Sequence, residues 1–212
     1  VKVVLVAGGP AAELPDLALW PDAAFIGVDA GTVRLLEMGV TPLSAVGDFD
    51  SVTAGELKQI EKLVPDLVRA ASEKDETDTE LGLEKAMGYQ PEMVIITGVT
   101  GGRLDHYMSA LHAVYSYQQK FPAVQFFLVN HQNRIRFLTP GCHRVVQDTN
   151  YRFISFYPFS EQVKGLTLRN FKYEVEDESI PFGSTRFISN ELEDEGTVCF
   201  TAGSCVIIES AD

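Results

Sequence analysis

Residues 93–121 read MVIITGVTGGRLDHYMSALHAVYSYQQKF. An unbroken apolar run over 93–97 meets glycines at 98, 101 and 102, and helical spacing takes over from Leu104. Because the run does not alternate polar with apolar, it fits a strand covered on both faces. Leu104, Met108, Leu111 and Tyr115 recur at helical spacing and are expected to pack the helix down, with Asp105, Ser109 and His112 on another face. Strand, glycine turn and helix in succession are the repeating unit of an α/β layer.

The same grammar runs back to the start of the chain. Apolar, β-rich runs at 2–7, 24–29, 43–47 and 66–70, and again at 124–129, alternate with the helical segments GTVRLLEMG, TAGELKQIEKLV and TDTELGLEKAMG. Residues 1–132 are therefore expected to form a doubly wound, mostly parallel sheet with helices on both faces. Past that point the helices stop. NRIRFLTPG, RVVQD, YRFISFYP, KGLTLRNFKYEV, RFISN, GTVCFT and SCVIIES are short β-rich runs punctuated by Gly, Pro, Asn and Asp. Residues 133–212 are expected to form a smaller antiparallel β-sandwich.

Composition narrows the partners. With 45% apolar and 22% charged residues the chain is globular rather than disordered. A net charge of −13 sets aside nucleic acid and anionic membranes as partners. No apolar run is long enough for a membrane span, and VKVVLVAGGP reads as a first strand rather than a secretory signal. Cys142, Cys199 and Cys205 show no CxxC pair, so neither a zinc site nor a disulfide framework is expected. Cys199 and Cys205 flank the turn FTAGS and could approach each other; free thiols in a reducing cytoplasm are the expectation.

Ligands of open α/β sheets bind beyond the carboxyl ends of the strands, and three acid-bearing loops fall there. In AVGDFDSV, residues 45–52, persistence of the strand would turn Asp48 and Asp50 to one side and Phe49 to the core. Carboxylates so close call for a cation between them. EKDETDTE carries Lys74, Asp75 and Asp78; TGVTGGRLDH carries Gly98, Gly101, Gly102, Arg103 and Asp105. Each loop also has a purely structural reading. Thr53-x-x-Glu56 and Thr77-x-x-Glu80 fit capping boxes, and Asp78 and Asp105 suit a first helical turn. Taken together, hard oxygen donors suit Mg²⁺, glycines and a helix N-terminus suit an anion, and Lys74 and Arg103 supply positive charge for phosphates. That combination describes phosphoryl or diphosphoryl transfer from a nucleotide. Neither a P-loop nor a G-x-G-x-x-G fingerprint is present.

The blocks VDAGTVRLLEMGVTPLSAVGDFDS, KDETDTELGLEKA and GVTGGRLDHYMSAL, with STRFISNEL near the end, resemble the signature blocks of the thiamine pyrophosphokinase family. The resemblance implies an α/β domain followed by a β-sandwich, in a homodimer with active sites between subunits. It implies transfer of the β,γ-diphosphate of ATP to the hydroxyl of thiamine, giving thiamine diphosphate and AMP. By motif position, Asp48, Asp50 and Asp78 would hold Mg²⁺, and Lys74, in the same block as Asp75, would touch phosphate. Asp105 would orient or deprotonate the attacking hydroxyl or help with the metal. Gly101, Gly102 and Arg103 would cradle ATP, beside the Gly98 read above as letting backbone approach an anion, with Asp29 and Gly31 at its edge. Ser189 and Asn190 would contact thiamine. Where family members often show Asp-Gly-Gly this chain has Asp29-Ala30-Gly31. No ring follows the Ser-Asn pair, which leaves Phe182 or Phe187 to stack on thiamine. ELEDE, residues 191–195, reads as a solvated acidic turn, and His106 and His112 as helix residues outside catalysis. The rival readings are a pyrophosphokinase for another small alcohol, such as a pterin carbinol, and a nucleotide- or Mg²⁺-binding regulatory module without chemistry.

Overall fold

The computed structural model describes residues 1–71 and 75–212. The chain divides into two compact units, residues 1–131 and 132–212.

In the first unit six strands, β1 (Lys2–Val6), β2 (Ala24–Val28), β3 (Ser44–Gly47), β4 (Asp66–Arg69), β5 (Met93–Thr97) and β6 (Gln125–Val129), pair in parallel in the order β4-β3-β2-β1-β5-β6. The chain builds outward from β1 to β4 and then crosses back to β5, so the strand order reverses between β1 and β5. Such a switch point opens a crevice at the carboxyl ends. The helices are α1 (Gly31–Glu37), α2 (Ala54–Leu63), α3 (Asp78–Met87) and α4 (Leu104–Lys120). Leu35 of α1 clusters with Val4 and Val6, whereas Gly82 of α3 lies against Leu5 and Val28. Alternate residues of β1 thus meet helices on opposite faces, which is why its apolar run is continuous. Both capping boxes form: Thr53 and Thr77 cap α2 and α3, each reciprocated by the glutamate three residues on.

On α4 the buried face differs from the expected stripe. Ala110, Leu111, Ala113, Val114 and Gln118 pack inward, while Leu104 is 78% and Met108 45% exposed. Two small alanines let the helix lie close on that side, which rotates Leu104 and Met108 outward.

The second unit holds two antiparallel sheets: β7 (Asn133–Leu138), β13 (Cys205–Ser210) and β9 (Phe153–Pro158) in the order β7-β13-β9, and β8 (Gly141–Val146), β10 (Gln162–Phe171), β11 (Val175–Pro181) and β12 (Leu192–Phe200) in the order β11-β10-β12-β8. One core, including Ile154, Phe156, Ile207, Leu166, Val198 and Phe200, draws side chains from both, as a sandwich requires.

Three expectations fail here. RFISN forms no strand, because Ser189 takes a left-handed backbone (φ 54°) and leaves a single bridge, Ile154 to Asn190. The acidic run is not a turn: its residues 192–195 open β12, with Leu192 inward and Glu193–Glu195 outward. Cys142 and Cys199 form a disulfide across β8 and β12, whose register sets them opposite each other, and Cys205 is the buried free thiol. Strand register, invisible in sequence spacing, decides that pairing.

Candidate active site

A cavity of about 350 Å³ opens at the switch point of the first unit. Its wall comes from four strand ends: Ala7–Pro10 after β1, Asp29 and Ala30 after β2, Ser51 after β3, and Gly98–Thr100, Gly102 and Arg103 after β5. Asp78 and Thr79 at the start of α3 and His106 of α4 complete it. Among the sequence-predicted residues, Asp29, Asp78, Gly98, Gly102 and Arg103 are brought together.

Asp29 is held most tightly. It has a left-handed backbone (φ 49°), an uncommon state for a non-glycine residue and one that concentrates at functional sites. Its N–H donates to the Val46 carbonyl at 2.8 Å, and Ser51 Oγ donates to Oδ2. Oδ1 is buried without a hydrogen-bond partner. Burial pushes the carboxyl above its ordinary range, against hydrogen bonds from Ser51 and the Ala30 N–H, and the charges of Asp78 and Asp48 push the same way. Asp29, on the cavity wall, therefore senses two further carboxylates, Asp48 and Asp78.

Asp48 and Asp50 do not stand on an extended strand. β3 ends at Gly47, Phe49 is left-handed (φ 59°), and the Asp50 N–H donates to Asp48 Oδ1 at 3.1 Å. This is an Asx turn. Phe49 does face the core, where it is 4% exposed among Ala45, Ile60 and Val64. Burying its ring stabilises by about 2–3 kcal/mol, enough to offset the roughly 1–2 kcal/mol cost of the left-handed backbone. Asp48 is half-buried and Asp50 exposed.

Gly98 is left-handed (φ 75°), and a Cβ there would lie 2.2 Å from the Ala7 carbonyl oxygen. Its glycine lets the β1 and β5 loops lie together, with the Gly9 N–H donating to the Gly98 carbonyl at 2.8 Å. Arg103 and Asp105 form a fork, Nε donating to Oδ1 at 3.1 Å and Nη2 to Oδ2 at 2.5 Å. The guanidinium holds the Asp105 carboxyl down at about 2. Asp75 is exposed ahead of the Thr77 cap, and Gly31 is buried as the first residue of α1. Lys74 lies outside the described residues.

In the second unit Ser189 is exposed, its N–H donating to Ser155 Oγ at 3.0 Å. Asn190 is 5% exposed and its amide is engaged by the backbone. Oδ1 accepts from the N–H groups of Tyr173 (3.0 Å) and Glu191 (2.9 Å), and Nδ2 donates to the Tyr173 carbonyl (2.9 Å). Phe187 is buried in the core, so it is no candidate for stacking on a ligand, whereas Phe182 is 73% exposed. Glu191 pairs with Lys172 and Arg152.

Sequence reasoning missed Gly8, Gly9, Ser51, Thr100 and His106. The Gly-Gly after β1 is the same signal as the Gly-Gly after β5 and would have found the first two. Nothing in the sequence marks the Ser51 hydroxyl.

Among the described residues no three His, Cys, Asp or Glu side chains are gathered closely enough to hold a metal ion by themselves. No helix among them is long and apolar enough to cross a membrane.

Two family models match the chain: the thiamin pyrophosphokinase catalytic domain over residues 17–126 and the thiamin pyrophosphokinase vitamin B1 binding domain over 142–207. A thiamine pyrophosphokinase of Bacillus subtilis is 43% identical over 211 residues, 98% of each chain. The crystal structure of thiamine pyrophosphokinase from Bacillus subtilis superposes with a TM-score of 0.93 at 41% identity, covering 100% of both chains. That of thiamin pyrophosphokinase from Geobacillus thermodenitrificans gives 0.91 at 37% identity, covering 100% of this chain and 98% of that one.

Proposed function

Because the chain belongs to the thiamin pyrophosphokinase family, we propose that it transfers the β,γ-diphosphate of ATP to the hydroxyl of thiamine, releasing AMP. The observation that carries this reading at the site is the convergence of Asp29, Asp78, Gly98, Gly102 and Arg103 on one cavity at the switch point of the parallel sheet.

The carboxylate set fits Mg²⁺. It offers only hard oxygen donors, and one of them, Asp29 Oδ1, is buried without a partner beside Asp48 and Asp78. Asp48, Asp50 and Asp78 would hold the ion together with phosphate oxygens and water. When bound, it would neutralise charge on the phosphates being transferred. The Gly98–Arg103 loop would take the polyphosphate against its backbone N–H groups, with Arg103 and Asp75 at its rim and Asp29 and Gly31 behind it; Lys74 is proposed to touch phosphate.

Asp105 would set the acceptor hydroxyl in line with the β-phosphorus. While Arg103 holds its carboxyl at about 2, it is a weak base, so orientation is the role its charge supports. The proton would pass to the Asp105 carboxylate only late, as the O–P bond forms and AMP departs, which even so weak a base can accept. Ser189 would contact thiamine, with Asn190 holding the neighbouring chain in place and Phe182 exposed in the same unit.

The exposed Leu104 and Met108 on the first turns of α4 support a homodimer with its active sites between subunits. The use of ATP as donor supports a cytoplasmic enzyme. The test is to supply ATP, Mg²⁺ and thiamine and identify the nucleotide released. Thiamine-dependent AMP with thiamine diphosphate is expected; ADP would refute diphosphoryl transfer.

A further inference from the structure

We propose that Glu13 is a positioning residue for the nucleotide pocket: its carboxylate holds Thr100, and with it the Gly98–Arg103 loop, in the shape the polyphosphate meets. The inference rests on the reading of that cavity as the ATP site.

Glu13 closes the short 3₁₀ turn Ala11–Glu13 that follows the glycine loop after β1, and it lies outside the cavity wall. Its Oε2 accepts from Thr100 Oγ1 at 3.2 Å and from Asn130 Nδ2 at 3.2 Å, and Asn130 Nδ2 also donates to Thr100 Oγ1 at 3.1 Å. The three side chains close a triangle, with Asn130 at the end of β6 only 7% exposed. The Thr100 hydroxyl, donating to Glu13 and accepting from Asn130, is fixed in one orientation behind the wall that Thr100 lines.

Two further observations show that the loop is built around this glutamate. Gly101 is left-handed (φ 77°), and a Cβ there would lie 2.3 Å from Glu13 Cγ. Gly101 is therefore where the glutamate stem passes. The backbones of the two loops are already joined upstream, Ala7 N–H to Thr97 O at 2.9 Å and Gly9 N–H to Gly98 O at 2.8 Å. Glu13 continues that seam by side chain to Thr100, beyond the last backbone bond. A carboxylate beside a phosphate pocket would repel the ligand if it faced it. Turned away and bonded to two donors, it acts on the ligand only through the loop.

The test compares Glu13→Ala, Glu13→Gln, Thr100→Val and the double variant Glu13→Ala/Thr100→Val. ATP affinity is measured calorimetrically with Mg²⁺ and no thiamine, and both KM values are measured in turnover. Glu13→Ala should weaken ATP binding about tenfold or more, the equivalent of losing a charge-assisted hydrogen bond, while the KM for thiamine stays put. Glu13→Gln, whose amide oxygen accepts from the same donors, should recover most of that loss. The double variant should be no weaker than Glu13→Ala, since both changes break one contact. A folded Glu13→Ala protein with wild-type ATP affinity, a glutamine variant as weak as the alanine one, or additive losses would each overturn the proposal. If Glu13→Ala does not fold, Thr100→Val decides alone, and wild-type affinity there overturns it. Should the wild type bind ATP yet make no AMP from thiamine, the proposed reaction falls while these affinities still judge Glu13. A wild type that does not bind ATP sinks both.

Discussion

Replacing Asn190 by alanine is expected to destabilise the second unit by about 2–3 kcal/mol. The side chain is 5% exposed and makes three hydrogen bonds of 2.9–3.0 Å, two of them to the N–H and carbonyl of Tyr173 at the tip of the β10–β11 hairpin. At about 1 kcal/mol net each these sum to roughly 3 kcal/mol. The lower bound reflects Tyr173, 59% exposed, whose backbone water can reach once the amide is gone. Urea unfolding followed by far-UV circular dichroism is the suitable assay. The only tryptophan, Trp20, lies in the first unit, so its fluorescence would report the wrong half of the chain. A midpoint lowered at unchanged slope is the expected result. A loss below about 0.5 kcal/mol, the range of ordinary surface substitutions, would refute the reasoning and free the Asn190 amide for a direct ligand contact.

Asp29→Asn should make the protein more stable at neutral pH without divalent cations. The carboxyl is raised by burial, so its contribution is present below its unfolded value and is lost as pH rises through the folded one. The advantage of the variant should shrink on acidification, and a less stable variant at pH 7 would contradict this. Arg103→Gln should return the Asp105 carboxyl from about 2 toward 3.8 in an NMR titration. The native fork is complete above 3.8 and is lost as pH falls through about 2; an unchanged titration would dissolve it. Reducing Cys142–Cys199 with a dithiol should cost up to about 4 kcal/mol, the chain-entropy value for a separation of 57 residues. Denatured protein should titrate one thiol, Cys205, before reduction and three after it; three thiols without reductant would exclude the bond.

The parallel sheet was legible because its strands are buried on both faces and say so as unbroken apolar runs; β1 and β5 are the clearest cases. The helix starts at Thr53 and Thr77 were legible because a capping box is local chemistry. What escaped reading depends on partners distant in sequence. Leu104 and Met108 have helical spacing, but the small side chains of Ala110 and Ala113 decide which side of α4 lies on the sheet. Cys142 meets Cys199 through the register of β8 on β12. Asp48 and Asp50 stand two apart in the sequence, yet the burial of Phe49 turns the backbone between them out of the strand. Ser51 and Thr100 join the site only because the strand ends converge there, and Asn190 leaves the list of free polar groups once Tyr173 folds against it.

On the proposed function, the carboxylates beside the switch-point cavity hold the Mg²⁺–phosphate end of ATP. The most direct measurement is thiamine-dependent AMP formation by Asp48→Asn across a Mg²⁺ titration, beside the wild type. Turnover should fall by at least about a hundredfold, as when a group stabilising transition-state charge is lost, with the fold intact by circular dichroism. Near-normal turnover at limiting Mg²⁺ would contradict the account.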